Sequence, residues 1–214
     1  MIESPINTSC GPNISVRQYL FNPFRTLAGA KALFLGLVIL FLTTFIGSLG
    51  STHFDGVLDV HTGQNVPLWF FFAESLIDWL CMVLFLVFSA LLISPTRWRF
   101  IDILGTQALA RWPTIFSALV MLPDANRRFG QFLMDRLSQS STSVTISSMD
   151  AVIFGIAAIT TLVVIIWMVV LMYKAYAVSC NVKGAKAIVP FIVSIILAEI
   201  LSKVIIVSLF KWAV

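Results

Sequence analysis

Charge is what this sequence lacks. Asp, Glu, Lys and Arg make up 11% of its 214 residues, against about a quarter in a soluble domain. Cysteine is scarce too. Cys10, Cys81 and Cys180 have no paired spacing, which argues against a disulfide framework or a zinc site built on cysteines. No Gly-rich phosphate loop and no nucleophile–base set is visible, so the expectation is a protein that is not an enzyme and carries no cofactor motif. The first thirty residues hold no apolar run, and Asn22-Pro23 interrupts what little there is, so no cleavable signal peptide is expected.

Apolar residues are abundant: 59% of the chain, with eighteen Phe and a mean hydropathy of +0.97. That balance excludes a disordered tail, a nucleic-acid-binding domain and nearly every soluble enzyme fold. It describes an all-α integral membrane protein. The expected partners are the lipid bilayer and other membrane proteins, a second copy included, and no nucleic acid. The net charge of +4 reads as orientation signal and headgroup contact.

A helix needs about 20 residues to cross the hydrocarbon. Residues 32–50 and 151–172 supply two uncharged runs, the second entered through Ser148 and Asp150 as candidate caps. The apolar stretch 79–93 is too short alone, so the second span extends upstream over 69–93 and takes in Asp78 and Glu74, spaced i and i+4. A third span over 101–122 carries Arg111, Trp112 and Pro113, and a fifth over 188–209 carries Glu199, Lys203 and Pro190. The pattern predicts a bundle of five transmembrane helices (30–214) behind a short N-terminal segment (1–29), in which Phe21, Phe24 and Leu27 lie at the interface. Residues 123–137 read as an amphipathic surface helix, running into a Ser/Thr linker at 138–148.

Five spans with a cytoplasmic N-terminus put Arg17, Arg25, Lys31, Arg97, Arg99, Lys174, Lys183 and Lys186 inside. Arg127, Arg128, Arg136 and Lys211 fall outside, with the C-terminus. A four-span arrangement with 95–150 cytoplasmic moves Arg111, Arg127, Arg128, Arg136 and Lys211 inside and the three lysines at 174, 183 and 186 outside. The charge rule permits both. The N-terminus is cytoplasmic in either.

Charged side chains inside spans are the strongest functional signal, because each costs about 2.5–3.5 kcal/mol at mid-helix and must face protein or water. At 1.5 Å per residue, Asp78, Arg111 and Glu199 fall near the midplane, and Lys203 at about the depth of Glu74. The expected network has Asp78 and Glu199 flanking Arg111 and Glu74 approaching Lys203. It is either a static lock on the bundle or a proton or cation path. Pro113 removes a helical hydrogen bond from the carbonyl of Leu109, predicting a kink. In the loop 51–68, His53, Asp55, Asp59 and His61 have a symmetric spacing. A turn would gather them as ligands for zinc or a similar divalent ion, while the plain reading is a polar hairpin.

Four stretches resemble the Yip-domain (Ypt-interacting protein) family in its bacterial form. They are Phe21-Asn22-Pro23-Phe24-Arg25, the loop Thr52 to His61, the segment Arg99 to Pro113 with its Gly105-Thr106-Gln107 centre, and Asn181 to Ile205. The resemblance implies five membrane helices, a cytoplasmic N-terminus and a short C-terminus on the opposite side. Eukaryotic relatives are associated with Golgi and endoplasmic-reticulum traffic and with Rab-type GTPases. For this chain it implies a non-enzymatic membrane-organising or interaction partner in a bacterial inner membrane. The charged spans point to the alternative, a small transporter or channel.

Overall fold

The computed structural model describes residues 20–213, except 65, 95–96 and 138–144. Cys10, Arg17 and most of the Ser/Thr linker lie outside the described residues. A 3₁₀ turn, Pro23–Arg25, leads into α1 (Gly29–Leu49). A two-stranded hairpin follows, β1 (Thr52–His53) and β2 (His61–Thr62), then α2 (Leu68–Ile93). The chain continues through α3 (Phe100–Ala110), α4 (Thr114–Met121), α5 (Asp124–Leu137), α6 (Ser148–Ser179) and α7 (Ala185–Ala213). Four helices, α1, α2, α6 and α7, are apolar and long enough to cross a membrane. This is an all-α membrane-embedded protein.

The segment expected as one third span is two helices. Arg111, Trp112 and Thr114 each donate their amide three residues back, to Ala108, Leu109 and Arg111. The Thr114 hydroxyl also caps the Arg111 carbonyl at 2.6 Å. Pro113 therefore does not orphan the Leu109 carbonyl as expected. The backbone tightens into i→i+3 turns, and Trp112 N–H fills that acceptor at 3.1 Å.

The broken pair α3–α4 runs parallel to α1. Gly29 lies beside Asp102, Gly36 beside the backbone of Ala108 and Leu109, and Gly50 beside Met121 and Leu122. A Cβ at Gly36 would stand 2.5 Å from the Leu109 nitrogen, so only glycine lets the two backbones approach this closely, the small-residue mode of membrane helix packing. On the other side of the bundle, α2 and α7 run antiparallel: Phe70 meets Phe210 edge-on at 5.7 Å, and Ser194 donates to the Phe85 carbonyl. α6 packs antiparallel on α3–α4, through Gln107 Nε2 to the Met172 carbonyl at 3.0 Å and Trp112 against Trp167 at 4.6 Å. The core where these helices meet includes Met82, Leu86, Ile103, Leu171, Met172 and Tyr176.

Local signals account for the ends. Ser147, one residue before the expected cap, starts α6 in a reciprocal capping box with Asp150. Phe24 is buried in the core rather than at the interface, because the 3₁₀ turn tucks it inward. Phe21 keeps to the surface, against Trp167 and beneath Lys174. The amphipathic α5 is anchored on α6 by Phe129 stacked on Phe154 at 4.3 Å and by the Arg128–Asp150 ion pair. Its Met134 and Leu137 stay exposed.

Candidate functional site

The hairpin and the tip beyond it position most of the site. Register pairs Thr52 with Thr62 and His53 with His61, which brings the two imidazoles to 5.6 Å in a near-parallel stack. Between the strands, residues 54–60 do not stay at the surface. Val57 is 2% exposed and belongs to the same core as Trp79 and Met82, so the tip dips into the end of the bundle. Irregular backbone at such depth is tolerated only where protein covers it. Here the Leu58 N–H finds a carboxylate, Glu199 Oε2, at 3.0 Å. Gly56 makes the approach possible: a Cβ there would stand 2.3 Å from Glu199 Oε1.

Glu74 does not approach Lys203. The nearer base is His53, whose Nδ1 lies 2.9 and 3.1 Å from the two Glu74 oxygens. His53 Nε2–H donates to the Gln64 carbonyl at 2.9 Å, so His53 and Glu74 share one proton across their contact. The imidazole also stacks on Phe71 at 4.6 Å. Lys203 instead pairs with Asp59 and lies 3.8 Å from Glu199, one turn away on its own helix. The expected partnership fails because depth arithmetic on straight helices leaves out the hairpin, which reaches both groups first.

Deeper in the bundle sit Asp78 and Arg111, 0% and 7% exposed. Asp78 and Glu199 both lie within electrostatic range of Arg111. Among the described residues no ion pair within 4 Å joins Arg111 to either acid. Both oxygens of Asp78, and Nε and one terminal nitrogen of Arg111, have no hydrogen-bond partner. The Ser202 hydroxyl, which donates to the Glu199 carbonyl at 3.2 Å, also lies within reach of Asp78. Asp78 and Arg111 act on each other through the low-dielectric interior, not by contact.

Asp55, Asp59 and His61 can each offer a ligand atom within 4.8 Å of the others. His53, the fourth member of the expected set, is turned to Glu74 instead. The three that remain are already neutralised. His61 Nε2 lies 3.1 Å from Asp55, and its Nδ1–H points at the Thr62 carbonyl at 3.2 Å. With acceptors at both nitrogens the ring is held as a cation: its pKa is raised to about 9, first by the Asp55 hydrogen bond, against burial. Burial acts to raise the Asp55 carboxyl, but the hydrogen bond and charge of His61 outweigh it and hold it below its usual value. The Lys203 ammonium stands on Asp59 where a second cation would sit. The donor set suits a divalent ion only after Lys203 moves and His61 loses a proton.

A cavity of about 620 Å³ opens beside this cluster, lined by His53, Asp55, His61 and Glu74 from the hairpin and α2. Neither Asp78 nor Arg111 lines it. The hairpin tip as a plug, and its amide as the partner of Glu199, were not foreseen from the residues; Gly56 between Asp55 and Val57 is the signal that could have found them. No family model, curated protein or solved structure matches the chain.

Proposed function

We propose that the chain is a five-crossing, non-enzymatic membrane protein of the Yip-domain type, with its N-terminus in the cytoplasm of a bacterial inner membrane, acting as a membrane-organising or interaction partner. The contact of α3–α4 with α1 from Gly29 to Gly50 supports the fifth crossing, since 21 residues at 1.5 Å cover about 30 Å of hydrocarbon. The motifs at 21–25, 52–61 and 99–113 support the family. α6 and α7 bury only 22% and 28% of their most apolar windows within the chain, leaving broad faces for lipid or a second membrane protein.

The observation that carries the role is the closure of the polar network. Each acid on its outer side already has a partner: Glu74 has His53, Asp55 has His61, Asp59 has Lys203 and Glu199 has the Leu58 amide. The hairpin tip plugs the route to Asp78. Outer pairs of this kind tie the hairpin to α2 and α7. The cavity beside Glu74 favours a second reading, transport of protons or small cations past Asp78.

Flux separates the two. In proteoliposomes with an internal pH dye, a partner protein gives no proton or potassium flux above empty vesicles, and Asp78→Asn changes nothing. A flux that Asp78→Asn or Glu74→Gln abolishes establishes transport. A C-terminal reporter on the non-cytoplasmic side is the outcome expected of five crossings.

A further inference from the structure

The cavity at the hairpin end is bounded by α2, α7 and α5 as well as the hairpin. Its exposed apolar lining comes from Met134, Val207 and Phe210, while Phe70 and Ile206 beside them are almost wholly buried. Phe70 is the third residue of α2 and Phe210 the fourth from the end of α7, which sets this surface near the boundary of headgroups and acyl chains. The cavity is open to the surroundings: Val207 and Met134, which line it, are 56% and 65% exposed.

The charges around it are not balanced. Glu74 and Asp55 are each held by a histidine. Outside those pairs stand two cations, Arg127 and Lys211, and one acid, Asp135. Arg127 has only an exposed i,i+3 partner in Asp124, and such pairs hold their members weakly. Lys211 forms no ion pair among the described residues. Lys211, with Arg127 only weakly held, beside an exposed apolar surface matches an anionic head on an apolar tail. A free anion has no use for Val207 or Phe210, and an uncharged lipid none for the cations.

We propose that this cavity binds a phospholipid from the non-cytoplasmic leaflet. Arg127 and Lys211 hold its phosphodiester, and Met134, Val207 and Phe210 receive the start of an acyl chain. The proposal rests on α2 and α7 crossing the bilayer, and its choice of leaflet on the cytoplasmic N-terminus proposed above. It is independent of whether the polar network conducts and of the family resemblance.

The test uses the full chain in maltoside micelles, titrated by calorimetry with dioctanoyl-phosphatidylglycerol, dioctanoylglycerol and inorganic phosphate. The expected result is one site for the phospholipid, at least tenfold weaker binding of dioctanoylglycerol, and no heat from millimolar phosphate. Arg127→Gln with Lys211→Gln, both surface changes, lowers phospholipid affinity at least tenfold and leaves dioctanoylglycerol unaffected. Val207→Trp, at an exposed lining position, occupies the cavity and removes binding of both lipids while the charges remain. Equal affinity for the two lipids, or undiminished phospholipid binding in either variant, overturns the proposal. Phosphate binding as tightly as the phospholipid overturns it too, leaving a free-phosphate site.

Discussion

Glu199 of α7 accepts the backbone N–H of Leu58 at 3.0 Å, across 141 residues of sequence. A partly buried carboxylate and an irregular loop each need a partner at this depth, and here each supplies the other's. Gly56 is the hinge of that exchange, because its Cα faces Glu199 with no room for a methyl group. Gly56→Ala is expected to destabilise the protein by about 1–3 kcal/mol, the usual cost of overpacking. Glu199→Ala in the same chain should recover part of that loss. Gly155 is the control: it sits within α6 with nothing within 4 Å of its missing Cβ, so Gly155→Ala should be neutral or stabilise by up to about 1 kcal/mol. Thermal unfolding of the four proteins in one detergent decides it. Additive losses for Gly56→Ala and Glu199→Ala would separate the two residues.

Arg111 and Asp78 should behave as a coupled pair without touching. Removing one buried charge and leaving the other costs about 3–5 kcal/mol. Arg111→Met and Asp78→Asn are each expected to fall in that range, and the double variant to be more stable than Arg111→Met alone. Glu199→Gln should rescue Arg111→Met less well, since Glu199 is partly exposed and already accepts the Leu58 amide. A double variant no better than the worse single one would mean that each charge is satisfied by something other than its neighbour.

The long helices are legible because lipid imposes a simple rule: about 20 apolar residues, whatever the neighbours. That rule finds α1, α2, α6 and α7 from hydropathy alone. It fails at 101–122, where hydropathy is continuous but Pro113 and the Thr114 cap divide the backbone. Depth arithmetic sets Asp78 and Arg111 in the same stratum because rise per residue is fixed. It has nothing to say about a loop that folds back into the bundle. His53 against Glu74 and Leu58 against Glu199 both depend on that return, and no periodicity encodes it.

The chain has two histidines, which makes their titration readable one at a time. His61, held by Asp55, should stay protonated until pH about 9. Its folded pKa lies above the unfolded value near 6.5, so its contribution to hairpin stability is full below about 6.5 and is lost as pH rises through about 9. Asp55 is lowered, so its contribution holds above the ordinary aspartate range and is lost only as pH falls below it. Imidazole resonances of labelled protein should show one ring titrating near 9, and Asp55→Asn should bring that ring back towards 6.5. If Asp55→Asn leaves the titration where it was, the Asp55 contact is not its cause.

Metal binding to Asp55, Asp59 and His61 is opposed by two cations already in place, the Lys203 ammonium and the proton on His61. Both obstacles can be lifted separately. Lys203→Met frees Asp59, and raising the pH towards 9 frees the imidazole, since zinc takes the neutral ring. Zinc affinity measured by calorimetry should therefore rise about tenfold per pH unit between 7 and 9, and be stronger in Lys203→Met than in the unaltered chain at every pH. Asp59→Asn should remove binding in the Lys203→Met background. Equal affinity with and without Lys203 would show that its ammonium does not compete for the site. No heat in Lys203→Met at millimolar zinc and pH 9 would mean that three donors within 4.8 Å are only the inside of a well-neutralised hairpin.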